Sequence, residues 1–213
     1  MSAQSGPPPT RSTVVVVDDN ENLLVRIRSV LRGAGYEVWA YASGAEFLRA
    51  VRPGPPCCFL LDVDMPGLSG LDIQKQLLNA PEAPSVVFMT GLRDVGHSIQ
   101  AFRRGAVDFL LKPFANEVLL EAVARALRCS WEQHIRDEQV KDARARLATL
   151  TPREREVCLL VAEGLTSREI GSRLGVAEGT VALHRAHLMS KLAVESLAEV
   201  VRLVDLAGSA TPA

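Results

Sequence analysis

No stretch of this 213-residue chain offers the run of about 18 uncharged apolar residues that a membrane-spanning helix needs. Met1 to Thr10 is rich in Pro, Ser and Gly and lacks the basic-then-apolar order of a secretory leader. A disordered tail over 1–12, a short tail over 209–213 and a cytoplasmic location are therefore expected. Cysteine is scarce and scattered, at Cys57, Cys58, Cys129 and Cys158. That spacing fits no metal site, so reduced, buried thiols are the expectation. An excess of positive charge is also missing. The formal net charge is −1, and residues 149–213 hold seven Lys/Arg against eight Asp/Glu. Bulk electrostatics alone would not carry that segment onto DNA.

Acids at the ends of apolar runs are what the chain does have. Cys57 to Leu61 is apolar and delivers Asp62, after which the chain turns at Met65-Pro66-Gly67. Thr13 to Val17 is a β-branched run that ends in Asp18 and Asp19. Val86 to Met89 ends in Thr90-Gly91, and Phe109 to Leu111 ends in Lys112-Pro113. In open parallel α/β sheets chemistry collects at the carboxyl edge of the strands. Three carboxylates, a hydroxyl and an ammonium are thus expected to converge there. Clustered carboxylates repel unless a cation joins them, and Mg²⁺ takes oxygen ligands of this kind. Lys112 supplies a point charge suited to a phosphoryl group. The set suits phosphoryl transfer onto a carboxylate.

Helix start signals follow the strand-like runs. Ser43-Gly44-Ala45-Glu46 reads as a capping box, Ser69-Gly70-Leu71-Asp72 opens a helix carrying Ile73, Leu77 and Leu78, and Asp94 can cap a helix through Ile99 and Phe102 that Gly105 ends. Alternating strands and helices predict a parallel sheet covered on both faces. A further helix starts near Asn116 and meets no Gly or Pro until Pro152. Its stripe of Leu119, Leu120, Val123, Leu127, Trp131 and Ile135 thins to Val140, Ala143 and Leu147 among charges. Two readings of that second half stay open, a coiled-coil seam and a solvated, hinge-like helix.

The last part is a series of short helices. Thr151-Pro152-Arg153-Glu154 and Thr166-Ser167-Arg168-Glu169 are capping boxes, Gly164 and Gly175 are stops, a third helix runs from about Gly179 to Leu192, and Ser196 to Glu199 opens a fourth. A short helix, a glycine turn and a longer helix make a helix-turn-helix pattern. From Gly179 to Leu192 there is no acid, while His184, Arg185, His187 and Lys191 are present. That helix is locally positive, and its N-terminal N–H groups suit a phosphate.

On these motifs residues 13–128 resemble the receiver domain of two-component response regulators, and residues 150–207 resemble the LuxR-type DNA-binding module. Thr151 to Val157 and Thr180 to Arg185 carry the second match. Together they resemble the NarL/FixJ family, nearer its FixJ branch, in domains over 13–128 and 149–208 with a helical linker at 129–148. The resemblance implies a flavodoxin-like α/β receiver, a five-stranded parallel sheet in the order 2-1-3-4-5, followed by an all-α four-helix domain. It implies that Asp62 accepts the phosphoryl group and that Asp18, Asp19, Asp62 and the Asp64 carbonyl hold Mg²⁺. It makes Thr90 the hydroxyl that reports the phosphoryl group, Lys112 its ionic partner and Phe109 the switch aromatic. DNA contacts would come from Thr180, Ala182, Leu183, His184, Arg185, Ala186, His187 and Lys191. Ala182 and Ala186 stand where relatives read bases, which shifts specificity toward Arg185, His187 and DNA shape. The implied partners are a sensor histidine kinase, promoter DNA and a second copy of the chain, with RNA polymerase a further candidate. No enzymatic turnover is expected beyond gain and loss of the phosphoryl group. Two competing readings stand beside this one: a DNA binder indifferent to phosphorylation, and a receiver whose output binds protein.

Overall fold

The β-branched run Thr13–Val17 forms strand β1, and its neighbours are β2 (Glu37–Tyr41), β3 (Cys57–Asp62), β4 (Ser85–Thr90) and β5 (Asp108–Leu111). The computed structural model describes residues 12–50, 53–78, 85–91 and 105–208. All strand pairs are parallel, in the order β2-β1-β3-β4-β5, as expected. The chain divides into two units at His134/Ile135.

Side chains alternate across the sheet with period two, and both faces are covered. Val14, Val16, Cys58, Leu60, Val87 and Met89 pack with Leu24, Ile27 and Leu31 of α1 (Glu21–Gly33) and with Leu119, Val123 and Leu127 of α4 (Asn116–Ala148). Val15, Val17, Phe59, Leu61, Val86 and Phe88 face the other way. They pack with Phe47 of α2 (Gly44–Arg49) and with Ile73 and Leu77 of α3 (Gly70–Leu78). Burial on both faces is why the strands read as continuous apolar runs. Each such Val or Leu stabilises the fold by roughly 1.5–3 kcal/mol. Ser12 is buried, and its carbonyl accepts from Glu37 N at 3.2 Å. The expected helix with Asp94, Ile99 and Phe102, and His97 with it, lies outside the described residues.

Start signals behave as read, with one variation. Ser43 Oγ accepts from Glu46 N at 3.2 Å, but the Glu46 carboxylate reaches Ala42 N, one residue upstream of the cap. Glu199 does the same, reaching Glu195 N while Ser196 caps. Helix α4 runs unbroken for 33 residues. Val140 and Ala143 are buried, and Leu147 and Leu150 join the core of the second unit. Cys57, Cys58 and Cys158 are buried, and burial pushes the thiols of Cys58 and Cys158 up. Cys129 departs from expectation: it is exposed, turned away from the sheet while Ala126, Leu127 and Ser130 face inward.

In the second unit α5 (Pro152–Ala162), α6 (Ser167–Leu174), α7 (Glu178–Leu192) and α8 (Leu197–Gly208) surround a core of Val157, Leu160, Val161, Ile170, Val181, Leu188, Leu192 and Val200. Both capping boxes form at α5 and α6. Gly175 ends α6 in the left-handed region, and a Cβ on Gly171 would stand 2.8 Å from the Val176 carbonyl, so α6 and the turn touch through backbone.

Glu154 ties the start of this unit to the end of α7. Its buried carboxylate accepts from Thr151 N and Oγ1, both at 2.9 Å, and from Lys191 Nζ at 2.7 Å. The Lys191 ammonium and the Thr151 cap hold the carboxyl down at about 2, against an ordinary 4.5. The unfolded chain therefore takes up this proton first as pH falls. The stabilisation is complete above about pH 4.5 and is lost as pH drops toward 2. Calorimetry of the full chain between pH 5 and about pH 2 should show the transition of the second unit falling more steeply in wild type than in Glu154→Gln. Parallel slopes would mean that the pair contributes nothing to acid sensitivity.

Candidate functional site

Register places the carboxyl ends of the strands side by side. Val17 pairs with Leu61, Asp62 with Met89, and Thr90 with Leu111. Backbone bonds beyond the ladder lock these ends together: Val63 N donates to Met89 O at 2.9 Å, and Lys112 N to Thr90 O at 2.7 Å. Asp18, Asp62, Thr90 and Lys112 are thereby brought to one edge. Lys112 Nζ lies 2.6 Å from Asp18 Oδ2 and 3.0 Å from Asp62 Oδ2. The other Asp18 oxygen accepts from Asn20 N at 2.9 Å, and Asn20 itself caps α1 by accepting from Leu23 N.

Asp18 is fully buried and Asp62 nearly so, while Asp19 is exposed. Carboxylate oxygens of all three lie within 4.8 Å of one another. Burial pushes the Asp62 carboxyl up to about 6; Lys112 and the Asp64 N–H pull it down, and Asp18 pushes it further up. Three carboxylates against one ammonium leave two negative charges over, and a divalent cation matches that excess. The Asp64 carboxylate is outside this cluster and exposed. Thr90 is buried, and its hydroxyl makes a long contact of 3.3 Å to Gly91 O. Phe109, on the edge strand β5, is 42% exposed, so it is not a core residue in this state.

Two residues at this edge escaped the sequence reading. A Cβ on Gly70 would stand 2.3 Å from the carbonyl oxygen of Asp62, so the start of α3 lies directly against the phosphoacceptor candidate's own backbone. The only hint was a glycine in the first turn of a helix, where almost any residue is tolerated. Arg26 of α1 donates to Phe114 O and to Asn116 Oδ1, each at 2.8 Å, and sits 5.9 Å from the Phe114 ring centre. It anchors the loop that follows Lys112. Nothing in one sequence connects positions 90 residues apart.

On α7 the structure sorts the candidate DNA contacts into two groups. Thr180, Ala182, Leu183, Ala186 and His187 are exposed. Arg185 is half-buried and donates to Ser167 Oγ at 2.6 Å, so it latches α7 to the start of α6. Lys191 pairs with Glu154, and His184 is half-buried. The helix also begins at Glu178, one residue before the expected start, which puts an acid at the end expected to receive phosphate.

Residues 14–124 match the response regulator receiver domain family, and residues 148–204 match the family of bacterial regulatory proteins of the luxR type. Nodulation protein W of Bradyrhizobium diazoefficiens is 37% identical over 199 residues, covering 93% of this chain and 88% of that one. The transcriptional regulatory protein FixJ of Azorhizobium caulinodans is 36% identical, covering 95% and 96%. Among solved structures, the response regulator StyR superposes with a TM-score of 0.78 at 38% identity, covering 91% of this chain and 98% of that one. Full-length FixJ from B. japonicum gives a TM-score of 0.55 at 31% identity, covering 93% and 98%.

Gly70→Ala should destabilise the first unit by about 1–3 kcal/mol, because the backbone of α3 or β3 must shift to admit a methyl. Gly54→Ala, whose Cβ meets nothing within 4 Å, should stay within about 0.5 kcal/mol of wild type. Urea unfolding of both variants checks this, and equal midpoints would contradict the close approach.

Proposed function

Because the chain belongs to the two-component response regulators that join a receiver domain to a LuxR-type DNA-binding domain, we propose that Asp62 is its phosphoacceptor and that phosphorylation there switches on promoter binding. The observation that carries this reading is the Lys112 ammonium lodged between Asp18 and Asp62, with Asp19 in the same cluster. A sensor histidine kinase supplies the phosphoryl group. An Asp62 oxygen attacks phosphorus, the new O–P bond forms as the P–N bond to the donor histidine breaks, and the leaving imidazole keeps the electron pair and takes a proton. Asp18, Asp19, Asp62 and the Asp64 carbonyl would hold Mg²⁺, which supplies neutralising charge for the phosphoryl oxygens. Lys112 is close enough to exchange a carboxylate for a phosphoryl oxygen.

The switch follows from the same groups. The Thr90 hydroxyl, in a long contact of 3.3 Å to Gly91 O, turns toward the new anion. Phe109 gives up its exposed position and moves inward. That biases the surface of β5, where Leu111 is also exposed, toward a dimerising state. Two copies bring two α7 helices to half-sites about one DNA turn apart. Contacts there come from the exposed face of α7, with RNA polymerase a further partner. Among the described residues no helix is long and apolar enough to cross a membrane, and work in the cytoplasm suits this reading.

Acid-labile label from a small phosphodonor should enter wild type and not Asp62→Asn, while Asp18→Asn and Asp19→Asn should slow uptake and weaken its dependence on Mg²⁺. Normal labelling of Asp62→Asn would refute the assignment. Thr90→Ala and Phe109→Ala should still accept label but no longer dimerise with it. Light scattering with and without beryllofluoride reads this out, and dimerisation equal to wild type would sink the coupling.

A further inference from the structure

Helix α7 faces its core with Val181, Leu188 and Leu192, all fully buried. The opposite face carries Thr180, Leu183 and His187, spaced i, i+3 and i+7, with Ala182 and Ala186 beside them. Leu183 is 55% exposed at the centre of this face. Both full positive charges of the helix are engaged away from it. Arg185 holds Ser167 at 2.6 Å and Lys191 holds Glu154 at 2.7 Å. The forked or point-charge donors that read guanine N7 and O6 are therefore withdrawn from the front of the helix. What remains in its first two and a half turns, the part that meets base edges in a helix-turn-helix, is largely methyl groups.

One feature of the major groove matches an apolar surface, the C5-methyl of thymine. Removing Leu183 from water against that methyl is favourable, whereas seating it on guanine or cytosine would strip water from polar edges and return no hydrogen bond. We infer that α7 reads thymine methyl groups, with Leu183 as the central reader and the methyls of Thr180, Ala182 and Ala186 around it. Arg185 is a positioning residue that sets the angle of this face through Ser167. The inference rests on the DNA-binding reading above and adds the base chemistry that the helix selects.

Deoxyuridine tests it, because it keeps Watson–Crick pairing and lacks only the methyl. Full-length protein with beryllofluoride and Mg²⁺ selects duplexes from a random library, and the recovered duplex is titrated by fluorescence anisotropy beside its deoxyuridine twin. Wild type should bind the twin about fourfold more weakly for each contacted methyl removed. Leu183→Ala should bind the thymine duplex more weakly, lose most of the discrimination against the twin, and melt at the wild-type temperature, since the side chain is exposed. Equal binding of both duplexes by wild type, or full discrimination retained by Leu183→Ala, would overturn the inference while leaving DNA binding intact. Recovery of no sequence at all would instead remove the DNA-binding reading and the inference with it.

Discussion

A single ammonium set between two buried carboxylates organises the first unit. Lys112 reaches the ends of β1 and β3 from the end of β5, 2.6 Å from Asp18 and 3.0 Å from Asp62. Burying two acids in contact distance is costly without a counter-charge, and removing one partner of such a set leaves an uncompensated charge behind. The sheet order is what makes the arrangement affordable in space: β1 and β3 are neighbours, and β4 bridges to β5 through the Lys112 N–Thr90 O bond. The compensation is incomplete, because Asp19 joins the cluster. An anionic surplus is built into the edge, and a divalent cation would neutralise it.

The second unit uses its charges the other way. Glu154, Lys191 and Arg185 are spent on joints between helices, Thr151 to the end of α7 and α7 to the start of α6. The surface left to meet DNA is short, methyl-rich and flanked by His187. One unit thus concentrates charge at one edge of its sheet, and the other holds the cations of α7 against neighbouring helices.

Much of this was legible in the sequence because burial on both faces leaves continuous apolar runs in β1, β3 and β4, and Asp18, Asp62 and Thr90 stand at the ends of those runs, while Lys112 follows the shorter apolar run of β5. Helix starts were legible because Thr151, Thr166 and Ser43 bond locally. The rest depended on distance in the fold. Arg26 meets Asn116 and Arg185 meets Ser167 through packing that no local pattern encodes. Val140, Ala143, Leu147 and Leu150 have the spacing of one helical face, but charges between them made that face read as thin. Leu147 and Leu150 are covered by the second unit's core, which hydrophobic periodicity does not specify. Phe109 illustrates a further limit: its 42% exposure in β5 cannot be read from a run that looks as apolar as those of the buried strands.

The pairing of Lys191 with Glu154 also sets how the regulator responds to its ionic surroundings. A cation on DNA gains affinity largely by displacing condensed counterions, and each phosphate neutralised steepens the dependence on salt. Lys191 arrives already neutralised by a carboxylate whose side chain is only 6% exposed, where screening by salt is weak. Arg185 is then the one uncompensated permanent charge between Gly179 and Leu192. A helix built this way has few cations of its own with which to displace condensed counterions.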